Sequence, residues 1–210
     1  MKICEIFYSI QGEGQWLGLP NVFIRTQGCN LRCTFCDTTY AYDEGEEKTI
    51  TEILKEIKRY TCRFICITGG EPLLQQATYE LIEKLCNQGY VVCIETNGSY
   101  AIDPLIKNKT VMISLDIKCP SSQMSSKMDL NNLSLIRPVD QVKFVIGTRK
   151  DYVYAKNIFS TYHIPCKVYF QPVWKQLPLQ KLASWIQQDN LMVYLGIQLQ
   201  KIIYGDRRKT

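Results

Sequence analysis

Short runs that are apolar on both faces recur along the chain, and stretches of helical period separate some of them. The runs cover 22–26, 64–68, 90–96, 111–117, 141–146 and 167–171. They are rich in β-branched and aromatic residues, as strands of a parallel sheet covered on both sides are. The clearest helix start is Thr49-x-x-Glu52, a capping box. Behind it, Ile50, Ile53, Leu54 and Ile57 fall on one helical face. Further helical patterns run over 72–87, 151–162 and 178–188, whereas 118–140 is irregular, rich in Ser, Met and Asn, and predicts no full crossover helix.

This alternation predicts βα units. The expected fold is α/β, a partial (incomplete) TIM-type barrel of about six parallel strands with a reduced helical layer, in a single domain over 1–210. Unusual residues sit just after each predicted strand, at 27–37, 69–71, 97–98, 116–118 and Pro172. Ligand sites of such folds lie at the carboxyl ends of the strands, so the pattern predicts one shared active-site face.

Composition narrows the setting. Apolar residues make up 46% and charged residues 21% of the 210 positions, as in an ordinary globular protein. No apolar run approaches the ~20 residues of a membrane span. Glu5 falls where a signal peptide would build its apolar segment, so the expected compartment is the cytoplasm. The net charge of +5 collects partly at Arg207, Arg208 and Lys209. No basic stripe interleaves with aromatics, which speaks against nucleic acid as a partner. Ten cysteines without an export signal fit reduced, metal-binding thiols better than a disulfide framework.

Three of those cysteines, Cys29, Cys33 and Cys36, have the spacing C-x3-C-x2-C in the loop after the first apolar run. Three thiolates on one compact loop can hold three irons of a cubane cluster and leave the fourth iron open. Structural zinc needs a fourth nearby ligand, and the single histidine, His163, lies far along the chain. The other seven, at 4, 62, 66, 86, 93, 119 and 166, fall largely at apolar positions, where Cys behaves as a small hydrophobe.

Cys29-x3-Cys33-x-Phe35-Cys36, with its aromatic residue before the last cysteine, resembles the signature of the radical S-adenosylmethionine (SAM) superfamily. Gly69-Gly70-Glu71-Pro72 resembles that superfamily's second motif. The resemblance implies a 4Fe–4S cluster on Cys29, Cys33 and Cys36, and SAM chelated to the open iron. Phe35, Gly70, Glu71, Asn97 and Ser114 would contact SAM, with the Glu71 carboxylate receiving its ammonium group.

The run Glu5 to Gly14, with Arg25 and Cys36-Asp37-Thr38, is similar to the 7-carboxy-7-deazaguanine synthase family, a similarity extending from Glu5 to about Gly205. That family converts 6-carboxytetrahydropterin to 7-carboxy-7-deazaguanine, using SAM, the cluster and Mg2+, on the route to queuosine or archaeosine. The resemblance implies that Ile10, Gln11, Gly12 and Thr68 face the pterin, that Arg25 pairs with its carboxylate, and that Thr38 offers its hydroxyl to Mg2+. It further implies a homodimer and a reductant such as flavodoxin or ferredoxin. Lys143 and Gln171 sit on strands aimed at the same face. Gln200 stands where the family often carries a histidine; an amide cannot shuttle a proton as imidazole does. A rival within the superfamily is an activase of glycyl-radical enzymes, which would lack a complete pterin pocket. A rival of another class is a metal-bearing binding module without catalysis.

Overall fold

The computed structural model describes residues 1–209; Thr210 lies outside the described residues. Its strands are β1 (Lys2–Ile10), β2 (Pro20–Thr26), β3 (Glu46–Glu47), β4 (Phe64–Gly69), β5 (Val91–Thr96), β6 (Val111–Lys118), β7 (Gln141–Ile146), β8 (Lys167–Pro172) and β9 (Tyr194–Leu195). The helices are α1 (Ile50–Ile57), α2 (Ala77–Asn87), α3 (Asp103–Ile106), α4 (Arg149–Thr161), α5 (Leu179–Gln188) and α6 (Leu199–Tyr204). The strands make one sheet of order β3-β1-β2-β4-β5-β6-β7-β8-β9. From β2 to β8 every pairing is parallel, and β9 extends it by two residues. Its two ends do not pair, so the α/β barrel is incomplete, as the alternation of apolar runs predicts.

Two cores follow from the two faces of this curved sheet. The larger lies between sheet and helices, where Ile24, Ile65, Ile67, Ile94 and Ile113 meet Ile53, Leu81, Leu85 and Tyr152. The smaller lies inside the curve: Phe7, Phe23, Cys66, Cys93 and Met112 pack together, with Trp16 against them. Phe7 and Phe23 stack with ring centroids 5.0 Å apart. A turn at Gly14–Trp16 spans the interior, where Gln15 N donates to Gln141 Oε1 on β7 at 2.7 Å.

Several expectations are corrected. The N-terminal run, absent from the six expected strands, is one: Lys2–Ile10 forms an antiparallel strand against β2, with Glu5 opposite Arg25. The pattern over 72–87 is two elements, a 3₁₀ turn at Pro72–Leu74 and then α2. Gln75 between them is extended (φ −102°, ψ 115°) because its amide ties other strands together. It accepts from Lys2 N at 2.8 Å and donates to Lys2 O at 2.9 Å and Gln27 O at 3.0 Å. Helix α4 starts at Arg149, since Thr148 and Asp151 form its capping box. Tyr90 precedes β5 rather than opening it. Lys118 ends β6, and residues 119–140 beyond it hold only 3₁₀ turns, as expected from their composition.

Asp151 does more than cap. Fully buried, it accepts from Ser121 N at 2.7 Å, Gly147 N at 3.0 Å and Thr148 N at 2.8 Å, pinning the loop after β6 to the start of α4. Buried donors stranded without an acceptor are costly. Asp151→Ala is therefore expected to lose about 2–4 kcal/mol of unfolding free energy in a urea titration; a loss below about 1 kcal/mol would contradict this account.

Candidate active site

The carboxyl ends of the parallel strands open on one cavity of about 550 Å³. On one side stands the loop after β2. Cys29, Cys33 and Cys36 are free, half-buried thiols and all three line the cavity. Leu31 N approaches Cys29 Sγ at 3.4 Å and Asn97 Nδ2 at 3.8 Å. Donors of this kind to cysteine sulfur tune an iron–sulfur cluster. Burial pushes the Cys29 and Cys33 thiols up. Three sulfurs on a short loop, with N–H donors already directed at one of them, fit a cluster held by three cysteines.

The loop after β4 is pressed against this one. Glu71 N donates to Gly28 O at 2.8 Å. A Cβ at Gly70 would lie 2.1 Å from Gly28 O and 2.8 Å from Cys29 Cβ, so only glycine permits the approach. Gly69 and Gly70 line the cavity with backbone. Glu71 does not. Its side chain is fully buried, and its oxygens accept from Leu73 N at 3.0 Å, Thr96 Oγ1 at 2.8 Å and Asn97 N at 2.6 Å. The expected ammonium contact is thus corrected: the carboxylate braces the loops after β4 and β5. Ser114 is also outside the cavity, fully buried and accepting from Gln141 Nε2 at 2.8 Å. Inward and outward positions alternate along β6, and Ser114 shares its side with Asp116, but lies deeper.

The opposite wall is charged. Arg25 donates through Nε to Glu5 Oε1 at 2.7 Å, and Tyr40 Oη donates to the same oxygen at 2.9 Å. The terminal nitrogens of Arg25 make no hydrogen bond among the described residues, and the side chain lines the cavity. Lys143 pairs with Glu13 and lies 3.2 Å from Asp116, which also pairs with Lys118 at 3.0 Å. Burial opposes the charge of Lys143, but Asp116 and Glu13 hold its ammonium group well above the usual range. Burial likewise opposes ionisation of Glu13, yet Lys143 holds that carboxyl below its usual range. Gln11 donates to Glu95 at 3.2 Å, as does Thr68 Oγ1 at 3.2 Å. Burial pushes the Glu95 carboxyl up.

The remaining expected residues sort clearly. Ile10, Gln11, Gly12, Arg25, Phe35, Thr38, Thr68, Gly70, Asn97, Lys143 and Gln171 all line the cavity. Thr38 Oγ1 donates to Asp37 Oδ1 at 2.9 Å, two hard oxygens at the rim suited to Mg2+. The C-terminal segment roofs the space. Leu199 N donates to Gly12 O at 2.9 Å, Gln198 Nε2 to Glu13 Oε1 at 2.8 Å, and Lys201 pairs with Asp37 at 3.4 Å. A Cβ at Gly12 would overlap the Gln200 amide. Gln171 Oε1, Trp174 Nε1 and Gln200 Oε1 are buried in this wall without a partner, as groups awaiting a polar ligand are.

Glu5, Glu13, Tyr42, Trp174 and Gln198 escape the sequence reading. Glu5, Glu13 and Gln198 join the site through partners distant in the chain, Arg25, Lys143 and Glu13 respectively, whereas Tyr42 and Trp174 line the cavity without belonging to any motif; the one available signal was Glu13 within the Gly-rich run.

Comparison with known proteins follows this geometry. The model of the Radical SAM superfamily matches residues 23–152. A 7-carboxy-7-deazaguanine synthase of Methanospirillum hungatei is 39% identical over 97% of this chain and 85% of its own. The chain belongs to the 7-carboxy-7-deazaguanine synthase family. A synthase of Thermoplasma acidophilum is 36% identical over 98% of both chains. Among solved structures, QueE from Escherichia coli superposes with a TM-score of 0.79 at 23% identity, covering 94% of this chain and 93% of that one. It supports the incomplete barrel. Membership of this family makes the chain a radical SAM enzyme, which carries a 4Fe–4S cluster, uses SAM and needs a reductant; the activase and binding-module readings are not favoured. No helix among the described residues is long and apolar enough to cross a membrane.

Burial raises the Glu71 carboxyl from 4.5 to about 7, against the pull of the N–H and O–H donors it accepts from. A carboxyl raised on folding is protonated in the native state where the unfolded chain is ionised. Its contribution to stability is full below about pH 4.5 and vanishes as pH rises to about 7. In urea titrations of cluster-free protein, acidification from pH 7.5 to 5 is expected to raise the wild-type midpoint relative to that of Glu71→Gln. A constant difference between the two would show that Glu71 does not titrate there.

Proposed function

We propose that this chain converts 6-carboxy-5,6,7,8-tetrahydropterin to 7-carboxy-7-deazaguanine and ammonia, supplying the 7-deazapurine nucleosides of transfer RNA. The observation that carries the reading is the cavity itself. Three clusterable thiols and a glycine backbone cradle stand on one wall, while an arginine with free terminal N–H groups stands on the other. Cys29, Cys33 and Cys36 would hold the cluster, which would supply the electron that splits SAM to a carbon radical able to take one hydrogen from the pterin.

The chain's own residues hold the reactants. Gly69 and Gly70 let SAM approach the backbone, Phe35 and Asn97 flank it, and Glu71 and Ser114 act from behind as braces. Arg25 grips the substrate carboxylate through its terminal N–H groups, which Glu5 and Tyr40 hold in one orientation. Ile10, Gln11, Gly12 and Thr68 meet the flat ring, so that one C–H faces the radical. Thr38 and Asp37 would offer oxygens to a Mg2+, which would supply neutralising charge for the substrate. Roofing by 198–201 excludes water, which a primary carbon radical requires.

The chain works as a single radical SAM domain over 1–210, in the cytoplasm, reduced by a flavodoxin or ferredoxin. It works as a homodimer; exposed Met192, Tyr194 and Leu195 at the β9 edge, and Ile202 and Ile203 on α6, supply apolar surface for the second copy.

Anaerobically reconstituted enzyme given SAM, dithionite, Mg2+ and the pterin is expected to form 7-carboxy-7-deazaguanine, detected by mass spectrometry. Formation of 5′-deoxyadenosine with the pterin untouched would discard the substrate. Cys33→Ala is expected to lose cluster iron and all SAM cleavage.

Removing one charge-assisted contact costs about 1.5–3 kcal/mol, so Arg25→Ala should lower kcat/KM about 10- to 100-fold. Thr38→Val should raise the Mg2+ concentration for half-maximal rate about tenfold or more; an unchanged Mg2+ profile would remove Thr38 from the metal site.

A further inference from the structure

Below the charged wall, the floor of the cavity carries two thiols that the proposed reaction does not use. Cys66 on β4 and Cys93 on β5 are register partners in the parallel ladder, and both thiols point into the curve of the sheet. Glu95 follows Cys93 by two residues, so the period of the strand puts its carboxylate on the same side. One ligand atom from each of the three residues lies within 4.8 Å of the others. Both cysteines are almost wholly buried, at 0% and 1% exposure, while Glu95 lines the cavity and gives the cluster its opening. The Gln11 amide sits directly above, its Nε2 3.5 Å from Cys66 Sγ and 3.2 Å from Glu95 Oε1.

A buried cysteine often only fills space, and Phe7, Phe23 and Met112 beside these two do so. Two features separate the pair from that role. The thiols are adjacent to each other, and the third side chain in contact is a carboxylate rather than another hydrophobe. Two sulfurs and one oxygen at tetrahedral reach are a donor set for a zinc-class ion. Gln11 completes it: turning its amide brings Oε1 over the thiolates as a fourth ligand.

We propose that Cys66, Cys93 and Glu95, closed by Gln11, form a binding site for a zinc-class divalent cation at the floor of the cavity, and that its occupation inhibits the enzyme. Binding forms two metal–sulfur bonds and releases two thiol protons to solvent. The inhibition rests on the proposed function, because it removes Gln11 and Glu95 from the substrate wall; the metal site does not.

The test uses the full chain with its cluster assembled, kept without oxygen, given one equivalent of zinc chloride and desalted. One retained zinc per chain is expected, with a zinc-edge X-ray absorption spectrum showing two sulfurs at about 2.3 Å and oxygen or nitrogen at about 2.0 Å. Three or more sulfurs, or loss of cluster iron, would place the zinc on the Cys29 loop and overturn the proposal, as would no retained zinc. Cys66→Ser/Cys93→Ser should retain less than a tenth of the wild-type zinc. Should that variant not fold, Glu95→Gln, which keeps both thiols, is expected to weaken zinc retention about tenfold, and unchanged retention would count against the site.

In the product assay, zinc is expected to slow pterin turnover at least tenfold in the wild type. A zinc site of the expected spectrum without inhibition would overturn the regulatory half. If zinc-free enzyme makes no 7-carboxy-7-deazaguanine, the proposed function fails, and the spectrum still decides the site.

Discussion

The backbone of Gly28 lies against Gly70, and this contact positions everything else in the site. No side chain fits between them, and the Glu71 N–H closes the gap with a hydrogen bond to Gly28 O. The buried Glu71 carboxylate extends the joint by gathering donors from Leu73, Thr96 and Asn97. The loops after β2, β4 and β5 are thereby one body. A cluster on the first loop and SAM on the second, as proposed, would be held at a fixed separation. A carboxylate without a cation beside it is costly to bury, and its raised pKa is the visible sign of that cost.

Charge is balanced differently on the substrate side. There, acids and bases alternate in space: Glu5 with Arg25, Glu13 with Lys143, Asp116 with Lys143 and Lys118. Each cation has a carboxylate partner, so the cavity can be both buried and strongly polar. The pairing is also a constraint on chemistry. Side chains locked in ion pairs keep a fixed orientation, which suits a wall that positions a polar ligand. Gln171 Oε1, Trp174 Nε1 and Gln200 Oε1, near the roof, are buried without a hydrogen-bond partner and without an ion pair.

Gln200 illustrates how the C-terminal segment and the Gly-rich run depend on each other. The amide occupies the space that any side chain at position 12 would need, and Leu199 N bonds Gly12 O. Gly12 is therefore required as much by the roof as by the flat ring expected beneath it. The same segment reaches Glu13 through Gln198 and Asp37 through Lys201, so the roof is fastened to both walls.

Local chemistry was written in the sequence because it depends on residues close together in the chain. The cysteine triplet, the Gly-Gly-Glu-Pro turn, the helix cap at Thr49 and the six doubly apolar runs each state a local requirement, and from them came the parallel sheet, the cluster and the shared face. Tertiary structure alone decided what depends on distant partners. Strand β1 was hidden because it is buried only at alternate residues and so lacks the continuous apolar run of its neighbours. The helix expected from Pro72 was shortened because Gln75 bonds Lys2 and Gln27. Glu71 and Ser114, readable as ligand contacts by position, were turned inward by Thr96, Asn97 and Gln141. Spacing along a chain names the residues that can do chemistry; which of them face the cavity is set by the register of the strands and by the hydrogen bonds each buried group must find.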